Sequence, residues 1–126
     1  MSIITTLNVA EIQLLQTQLT NKILLVKLGA TWCGPCKKIK PQCEEWLSTC
    51  PSNIIYADID IDTSVDLYIQ LKKLKMVNGI PVILAFYDTK TPRDKWFIPN
   101  DSVTGSSPDL VKNFLTRCSA KATSLL

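Results

Sequence analysis

The chain has 126 residues, of which 46% are hydrophobic and 20% charged, a balance typical of one globular domain and unlike that of disordered or low-complexity chains. Its net charge of +3 is too small to predict a nucleic-acid partner. It contains five cysteines and no histidine, which excludes a Ser-His-Asp or Cys-His nucleophile and a histidine-ligated zinc or haem site.

The first half of the chain predicts alternating strands and helices. Asn8 and Glu11 have the spacing of a capping box and predict the start of the first helix. The apolar run 23–28, interrupted only by Lys27, predicts a strand buried on both faces. Pro41 lies inside the next helical pattern, where it is expected to kink the helix. The predicted elements are strands at 3–7, 23–28 and 54–61 and helices at 9–18, 33–49 and 65–74.

The second half predicts a hairpin and a last helix. Asn78-Gly79 predicts a turn before an apolar strand. Ser107, Pro108 and Asp109 predict a helix start, because an acidic side chain is favourable at the positive end of the helix dipole. The predicted elements are a strand at 81–87, a polar turn at 88–94, a strand at 95–98, a turn-rich loop at 99–107, a helix from 108 and a frayed tail at 119–126.

This order of elements predicts an α/β fold. The early alternation favours a parallel sheet with helices on both faces, and the late hairpin adds antiparallel strands, so that the sheet is expected to be mixed. We expect one domain over residues 1–126, with residues 119–126 as its tail.

The expected compartment is the cytoplasm. Residues 1–10 lack the basic and long apolar segments of a signal peptide, and the longest apolar runs fall well short of the roughly 20 residues that span a bilayer. No membrane partner is therefore expected. In a reducing compartment, cysteines serve catalysis or metal binding more often than a disulfide framework.

The cysteine motif Trp32-Cys33-Gly34-Pro35-Cys36 follows the predicted buried strand and opens the second helix. A helix N-terminus carries free amide donors and partial positive charge, which stabilise a thiolate. The thiolate is the nucleophile in disulfide exchange. Because two residues separate the cysteines, one turn brings both sulfurs together, and glycine and proline restrict how that turn flexes. The motif therefore predicts a redox-active pair.

Two other interpretations of this pair are open. Two cysteines supply only two metal ligands, so zinc or an iron–sulfur cluster would have to bridge two chains. Alternatively, the fold would be a docking platform in which the cysteines are dispensable.

The chain resembles the thioredoxin family over roughly residues 9–87, and more loosely over 95–114. The sequence from Trp32 to Cys36 is the family's own signature. Pro41 matches the family's helix-kinking proline, and Ile80-Pro81 matches its cis-proline position. The resemblance implies the thioredoxin fold, with a central mixed sheet flanked by helices.

The resemblance also implies a role for each matching residue. Cys33 would be the exposed thiol that attacks a substrate disulfide, and Cys36 would lie deeper and resolve the mixed disulfide. Trp32 would flank the site. The Ile80 backbone would pair with the substrate as a short antiparallel strand next to a cis Pro81. Gly34 and Pro35 would tune the redox behaviour of the pair.

The chain departs from the family pattern on two predicted strands. The family commonly has a buried acid six residues before the first cysteine, where this chain has Lys27. It often has a lysine 22 residues after the second cysteine, where this chain has Asp58. We hypothesise that Lys27 is partly buried behind the disulfide, pairs with Asp58 and favours thiolates. The alternative is that Lys27 reaches solvent and has no role.

A second departure is the 99–107 segment. The family has a tight connection with a glycine near the site, whereas this loop is longer and offers only Gly105. Such a loop would reshape the substrate groove and put recognition by the usual reductase in doubt, unless it is an ordinary surface insertion.

The remaining cysteines are expected to be peripheral. Cys36, Cys43 and Cys50 are seven residues apart, or about 10.5 Å along a helix, which is too far for a disulfide. Cys43 is expected to be a small buried residue. Cys50 and Cys118 lie at helix ends, where exposure would permit redox sensing, glutathionylation or a disulfide between two chains.

The leading functional prediction is a protein-disulfide reductase. The resemblance implies no bound cofactor and no metal, protein disulfides as substrates, and an NADPH-linked thioredoxin reductase as electron donor. A monomer or weak dimer is expected. The alternatives are the docking protein described above and a disulfide oxidase or isomerase, against which the absence of a recognisable export signal argues.

Overall fold

The computed structural model describes residues 2–87 and 93–126. They form a mixed sheet with helices on both faces, as the order of predicted elements indicated. The strands are β1 (Ile3–Ile4), β2 (Ile23–Gly29), β3 (Ile54–Asp60), β4 (Val82–Phe86) and β5 (Asp101–Thr104). The helices are α1 (Val9–Gln16), α2 (Gly34–Thr49), α3 (Val65–Lys73), a short 3-10 helix (Arg93–Lys95) and α4 (Pro108–Ser124).

The strand order in the sheet is β1-β3-β2-β4-β5. β1, β3 and β2 run parallel, whereas β4 is antiparallel to β2 and β5 is antiparallel to β4. The central strand β2 is buried along its whole length, which agrees with its apolar sequence. Its carboxyl end leads into the cysteine motif.

Each face of the sheet carries its own core. Leu24, Val26 and Leu28 of β2 pack with buried residues of α1 and α3. Leu25, on the opposite face, packs with buried residues of α2 and α4. Because alternate strand residues share a face, Lys27 lies on the α2 side of the sheet together with Leu25. The one charged residue of β2 therefore faces the helix that carries both motif cysteines.

The start of α1 confirms the predicted capping box. The Asn8 side chain accepts a hydrogen bond from the Glu11 backbone, and the Glu11 side chain accepts one from the Asn8 backbone. Most predicted helix and strand boundaries differ from the observed ones by one or two residues. The larger difference is in the first strand, which has only two residues instead of five.

The strand predicted at 95–98 is wrong. Residues 93–95 form a 3-10 turn, and Trp96 and Phe97 pack as half-buried side chains against the core on the α1 side of the sheet. The Trp96 carbonyl accepts a hydrogen bond from the Gln16 side chain, so α1 helps to hold this segment. Residues 88–92 of the predicted turn lie outside the described part of the chain.

The fifth strand instead lies inside the predicted loop at 99–107. β5 pairs with β4, and its residues alternate between half-buried and exposed. The polar residues Asp101 and Ser102 favour a loop in the sequence, because such residues are depleted in most strands. An edge strand tolerates them, since one of its sides is not covered by another strand.

The frayed tail predicted at 119–126 is also wrong, because α4 continues to Ser124. Ala122 is fully buried, and its carbonyl accepts a hydrogen bond of 2.8 Å from Asn53 Nδ2. The same amide donates a 2.8 Å bond to the Asn21 carbonyl. Asn53, itself buried, thus ties the last turns of α4 to the loop that precedes β2.

Asn53→Ala is expected to lower the free energy of unfolding by about 2 kcal/mol, because it leaves two backbone carbonyls without their donor. Chemical denaturation monitored by circular dichroism measures the loss. Asn113→Ala, at an exposed position of α4, is the matched control and should change stability by less than about 0.5 kcal/mol. Equal stability of the two variants would show that the Asn53 amide does not hold the end of α4.

Candidate active site

The motif cysteines lie just after β2, at the start of α2. β2 ends at Gly29, and Cys33 is the N-cap of α2. The Cys33 Sγ accepts a hydrogen bond of 3.2 Å from the Cys36 backbone N–H, one of the free donors of the first turn. Gly34 and Pro35 are the first two residues of the helix, a position that proline tolerates because its missing N–H is not needed there.

Cys33 and Cys36 form a disulfide. Their Cα atoms are 5.3 Å apart, within the usual range for such a bond. The two thiols are therefore close enough to form this bond and to release it when a thiolate attacks.

The greater exposure predicted for Cys33 is not observed in this disulfide form. Cys33 is 5% exposed and Cys36 6% exposed. The two differ instead in what they face. The Cys33 sulfur lies 4.0 Å from the Ile80 carbonyl, whereas the Cys36 sulfur lies against the backbone of β2 at Gly29, where a Cβ would come within 3.3 Å of it. Cys33 thus faces the surface loop before β4, and Cys36 faces the sheet.

The Ile80-Pro81 peptide bond is cis and lies beside Cys33, as the resemblance implied. The Pro81 carbonyl accepts a 2.8 Å hydrogen bond from the N–H of Gly105, which directly follows β5. Gly105 has a φ of +98°, a conformation that other residues rarely adopt. The loop predicted at 99–107 therefore supplies an edge strand and a glycine that holds the cis-proline segment.

Trp32 flanks the disulfide, with 65% of its surface exposed. Its Nε1 donates a 2.8 Å hydrogen bond to Asp62 Oδ2. The Asp62 backbone in turn donates to Asp60 Oδ1, which closes the turn after β3. Sequence reasoning missed this role of Asp62, because the alternating aspartates indicated only a strand and its end.

Lys27 and Asp58 are neighbours on paired strands, and Lys27 is 5% exposed. The Lys27 Nζ lies 3.7 Å from Asp58 Oδ1, and the Asp58 side chain is 45% exposed. The predicted ion pair is therefore present, and Lys27 does not extend into solvent. A cavity of about 370 Å³ opens beside it, lined by Lys27, Cys36, Lys37, Lys40, Asp58 and Asp60 among others.

Cys43 and Cys118 are buried thiols. Each is 2% exposed, and burial raises the pKa of both, that of Cys118 to about 12. The exposure considered for Cys118 is wrong, because α4 continues past it and its side chain packs in the buried cluster on the α2 side of the sheet. Cys50 is half-buried, and burial raises its pKa as well. All three thiols are expected to stay protonated at neutral pH and to react slowly.

Two negative observations apply to the described residues. No group of three or more cysteine, aspartate or glutamate side chains is placed to hold a metal ion in residues 2–87 and 93–126. In the same ranges, no helix is long and apolar enough to cross a bilayer.

Comparison with known proteins points to one family. The family model described as thioredoxin matches residues 6–107. The chain is 34% identical over 89 residues to "Thioredoxin-2" of Pyricularia oryzae, a match that covers 71% of this chain and 44% of that protein. It is 27% identical over 103 residues to "Thioredoxin" of Coprinus comatus, covering 79% and 86% of the two chains.

Solved structures show the same fold. The Fasciola hepatica thioredoxin superposes with a TM-score of 0.69 at 22% identity, covering 93% of this chain and 98% of that one. The match to the Pyricularia protein, in contrast, spans less than half of that protein's length.

Proposed function

The chain belongs to the thioredoxin family, and we propose that it reduces protein disulfides by cycling Cys33 and Cys36 between dithiol and disulfide. The observation that carries this proposal is the Cys33–Cys36 disulfide at the N-terminus of α2, next to the Ile80-Pro81 segment. We further propose that residues 1–126 act as one thioredoxin-like domain.

The first step uses Cys33. Its thiolate is stabilised by the Cys36 N–H and by the helix dipole. It attacks one sulfur of the substrate disulfide, a Cys33–substrate bond forms, and the other substrate sulfur leaves as a thiolate that takes up a proton from water.

The second step uses Cys36. Its thiol loses a proton, and the thiolate attacks the Cys33 sulfur. The Cys33–Cys36 bond forms, the bond to the substrate breaks, and the second substrate sulfur leaves as a thiolate. Two electrons have then passed from the dithiol to the substrate. In these two steps Gly34 and Pro35 limit how the turn between the sulfurs opens.

Substrate binding is assigned to the surface around Cys33. The Ile80 backbone lies next to the Cys33 sulfur and would pair with an extended substrate chain. Pro81 holds that segment in position, and the exposed Trp32 supplies apolar surface at its side. Because backbone pairing depends little on the side chains of the substrate, it discriminates weakly between sequences. This suits a reductase with several protein substrates.

The cycle also requires an electron donor. Thioredoxin-family proteins act on protein disulfides and are reduced by thioredoxin reductase, and we propose an NADPH-linked reductase of this kind for this chain. The dithiol itself carries the electrons, so the cycle needs no cofactor bound to the chain. A reducing compartment such as the cytoplasm would maintain it, with the protein as a monomer or weak dimer.

Reduction of insulin disulfides tests the proposal. With dithiothreitol as donor, the wild-type chain is expected to speed the precipitation of insulin well above the rate with dithiothreitol alone. A second arm replaces dithiothreitol with thioredoxin reductase and NADPH. Activity only with dithiothreitol would support the disulfide exchange by Cys33 and Cys36 but reject thioredoxin reductase as the electron donor. Inactivity in both arms would reject the reductase function.

A further inference from the structure

Lys27 is the one buried side chain with a formal charge among the described residues. It extends from the α2-facing side of β2, the central strand. Placing an ammonium group in a protein interior is unfavourable unless other charges or polar groups compensate for the lost water. The position of Lys27 therefore requires a physical explanation beyond packing.

Asp58 compensates for the buried charge only in part. The 3.7 Å between Lys27 Nζ and Asp58 Oδ1 is longer than a direct hydrogen bond. Nearly half of the Asp58 side chain is exposed, so that solvent weakens its field. The Lys27 charge thus has a residual effect on its surroundings, on the side where the cavity opens.

The Cys36 sulfur shares those surroundings. It lies against the β2 backbone at Gly29, two residues beyond Lys27 on the same face of the strand. Two residues span about 7 Å in a strand, so the two side chains start from adjacent positions on one face of the sheet. Lys27 and Cys36 both line the cavity of about 370 Å³.

A second thiol shows that the field of Lys27 reaches α2. Cys43 is buried on the same side of α2 as Cys36. Burial raises the pKa of Cys43, and the Lys27 charge opposes that rise, whereas the smaller effect of the Asp58 charge adds to it. Lys27 and Asp58 thus act on this buried thiol with opposite signs.

The other charged groups at the cavity are more open to solvent. Lys40 has a side chain that is 65% exposed, and it pairs with Glu44 at 3.9 Å one turn further along α2. The cavity also has Lys37 of α2 and Asp60 at the end of β3 in its lining. Tyr56 of β3 is buried nearby, and burial raises its pKa, so that its hydroxyl stays neutral.

We propose that Lys27 is a positioning residue for the resolving step, whose buried ammonium stabilises the Cys36 thiolate while Asp58 limits that effect. This inference rests on the proposed function. The Cys36 thiol gives its proton to solvent entering the open cavity. The thiolate then attacks the Cys33 sulfur, and the substrate sulfur leaves with the electron pair of the broken bond.

Alkylation of Cys36 as a function of pH tests the effect without turnover. In a Cys33→Ser background, iodoacetamide labelling of Cys36 is followed by peptide mass spectrometry from pH 5 to pH 10. Lys27→Met is expected to raise the midpoint by about one pH unit, which lowers the labelling rate at pH 7 about tenfold. Asp58→Asn is expected to shift the midpoint in the opposite direction.

Opposite shifts identify an electrostatic role. If Lys27 only supported packing, both substitutions would loosen the site and speed the labelling of Cys36. Lys40→Met removes a positive charge from the same cavity at an exposed position, and it should change the rate less than twofold. An unchanged midpoint in Lys27→Met, or an equal shift in Lys40→Met, would overturn the proposal.

Two further outcomes keep the test decisive. If Lys27→Met fails to fold, the Asp58→Asn variant alone tests the proposal. An unchanged or raised midpoint of Cys36 labelling in Asp58→Asn would contradict it. Because labelling needs no substrate, a wild-type chain that fails to reduce insulin would reject the proposed function while these shifts report on Lys27 separately.

Discussion

Cys36→Ser is expected to stop the reductase cycle after its first step and to leave Cys33 covalently joined to the substrate. Cys33 can still attack a substrate disulfide in this variant, because its position at the helix N-terminus does not depend on the Cys36 sulfur. No thiol then remains beside Cys33 to break the mixed disulfide. Steady-state insulin reduction should fall about 10³-fold or more.

Cys33→Ser is expected to lose activity to the same degree without trapping a substrate. The thiol that remains, Cys36, faces Gly29 and the sheet rather than the Ile80 segment where the substrate is expected to bind. Non-reducing gel electrophoresis distinguishes the two variants, since only Cys36→Ser should form a covalent adduct with the substrate that a reductant cleaves.

Cys50→Ser is the matched control for both variants. It removes another free thiol, which is half-buried at the end of α2, away from the disulfide. It should keep more than half of the wild-type activity. Equal adduct formation by Cys33→Ser and Cys36→Ser would refute the assignment of Cys33 as the attacking thiol.

The local parts of the site could be predicted from sequence. A helix capped by Cys33 follows from the glycine and proline that come next in the chain, and both cysteines then lie at its first turn. The resemblance to the thioredoxin family pointed to the Lys27–Asp58 contact, and the parallel pairing of their strands explains why the two side chains lie next to each other. The helix start depends on residues that are close together in the chain, and the Lys27–Asp58 contact depends on the register of one pair of strands.

Contacts between distant segments could not be predicted in this way. Nothing in the pattern around Asp62 indicates that its carboxylate accepts a hydrogen bond from Trp32, 30 residues earlier. The burial of Cys33 depends on how closely the Ile80 segment approaches its sulfur, which is a property of the folded chain. Such contacts depend on how helices, strands and loops pack together, which the spacing of residues within one element does not determine.

The misplaced last strand and the shortened last helix have the same physical origin. The sequence of β5 predicts a loop, because its polar residues are tolerated in a strand only at the edge of the sheet. Residues 119–126 predict a tail, because the sequence at the end of α4 is only weakly apolar. The Asn53 side chain, 69 residues from Ala122 in sequence, is one of the contacts that stabilise that end.

Phe114→Ala is expected to be the most destabilising of the substitutions considered, with a loss of about 4 kcal/mol in the free energy of unfolding. Phe114 is fully buried in α4, within the cluster that also contains Leu25 and Ile83 of the sheet. Truncation to alanine removes the apolar contacts of the ring and leaves a cavity that the surrounding strands can fill only in part. For a chain of this length, the loss corresponds to a fall of about 10–20 °C in melting temperature.

Leu110→Ala provides the control on the same helix. Leu110 lies one turn before Phe114 and is 56% exposed, so its truncation should change stability by less than about 1 kcal/mol. Calorimetry or denaturant titration of the oxidised protein measures both variants while the Cys33–Cys36 bond stays closed. A small loss for Phe114→Ala would show that α4 is not needed to hold this face of the sheet. A large loss would mean that α4 is needed to stabilise the α2 side of the sheet, where Lys27 and Cys36 line one cavity.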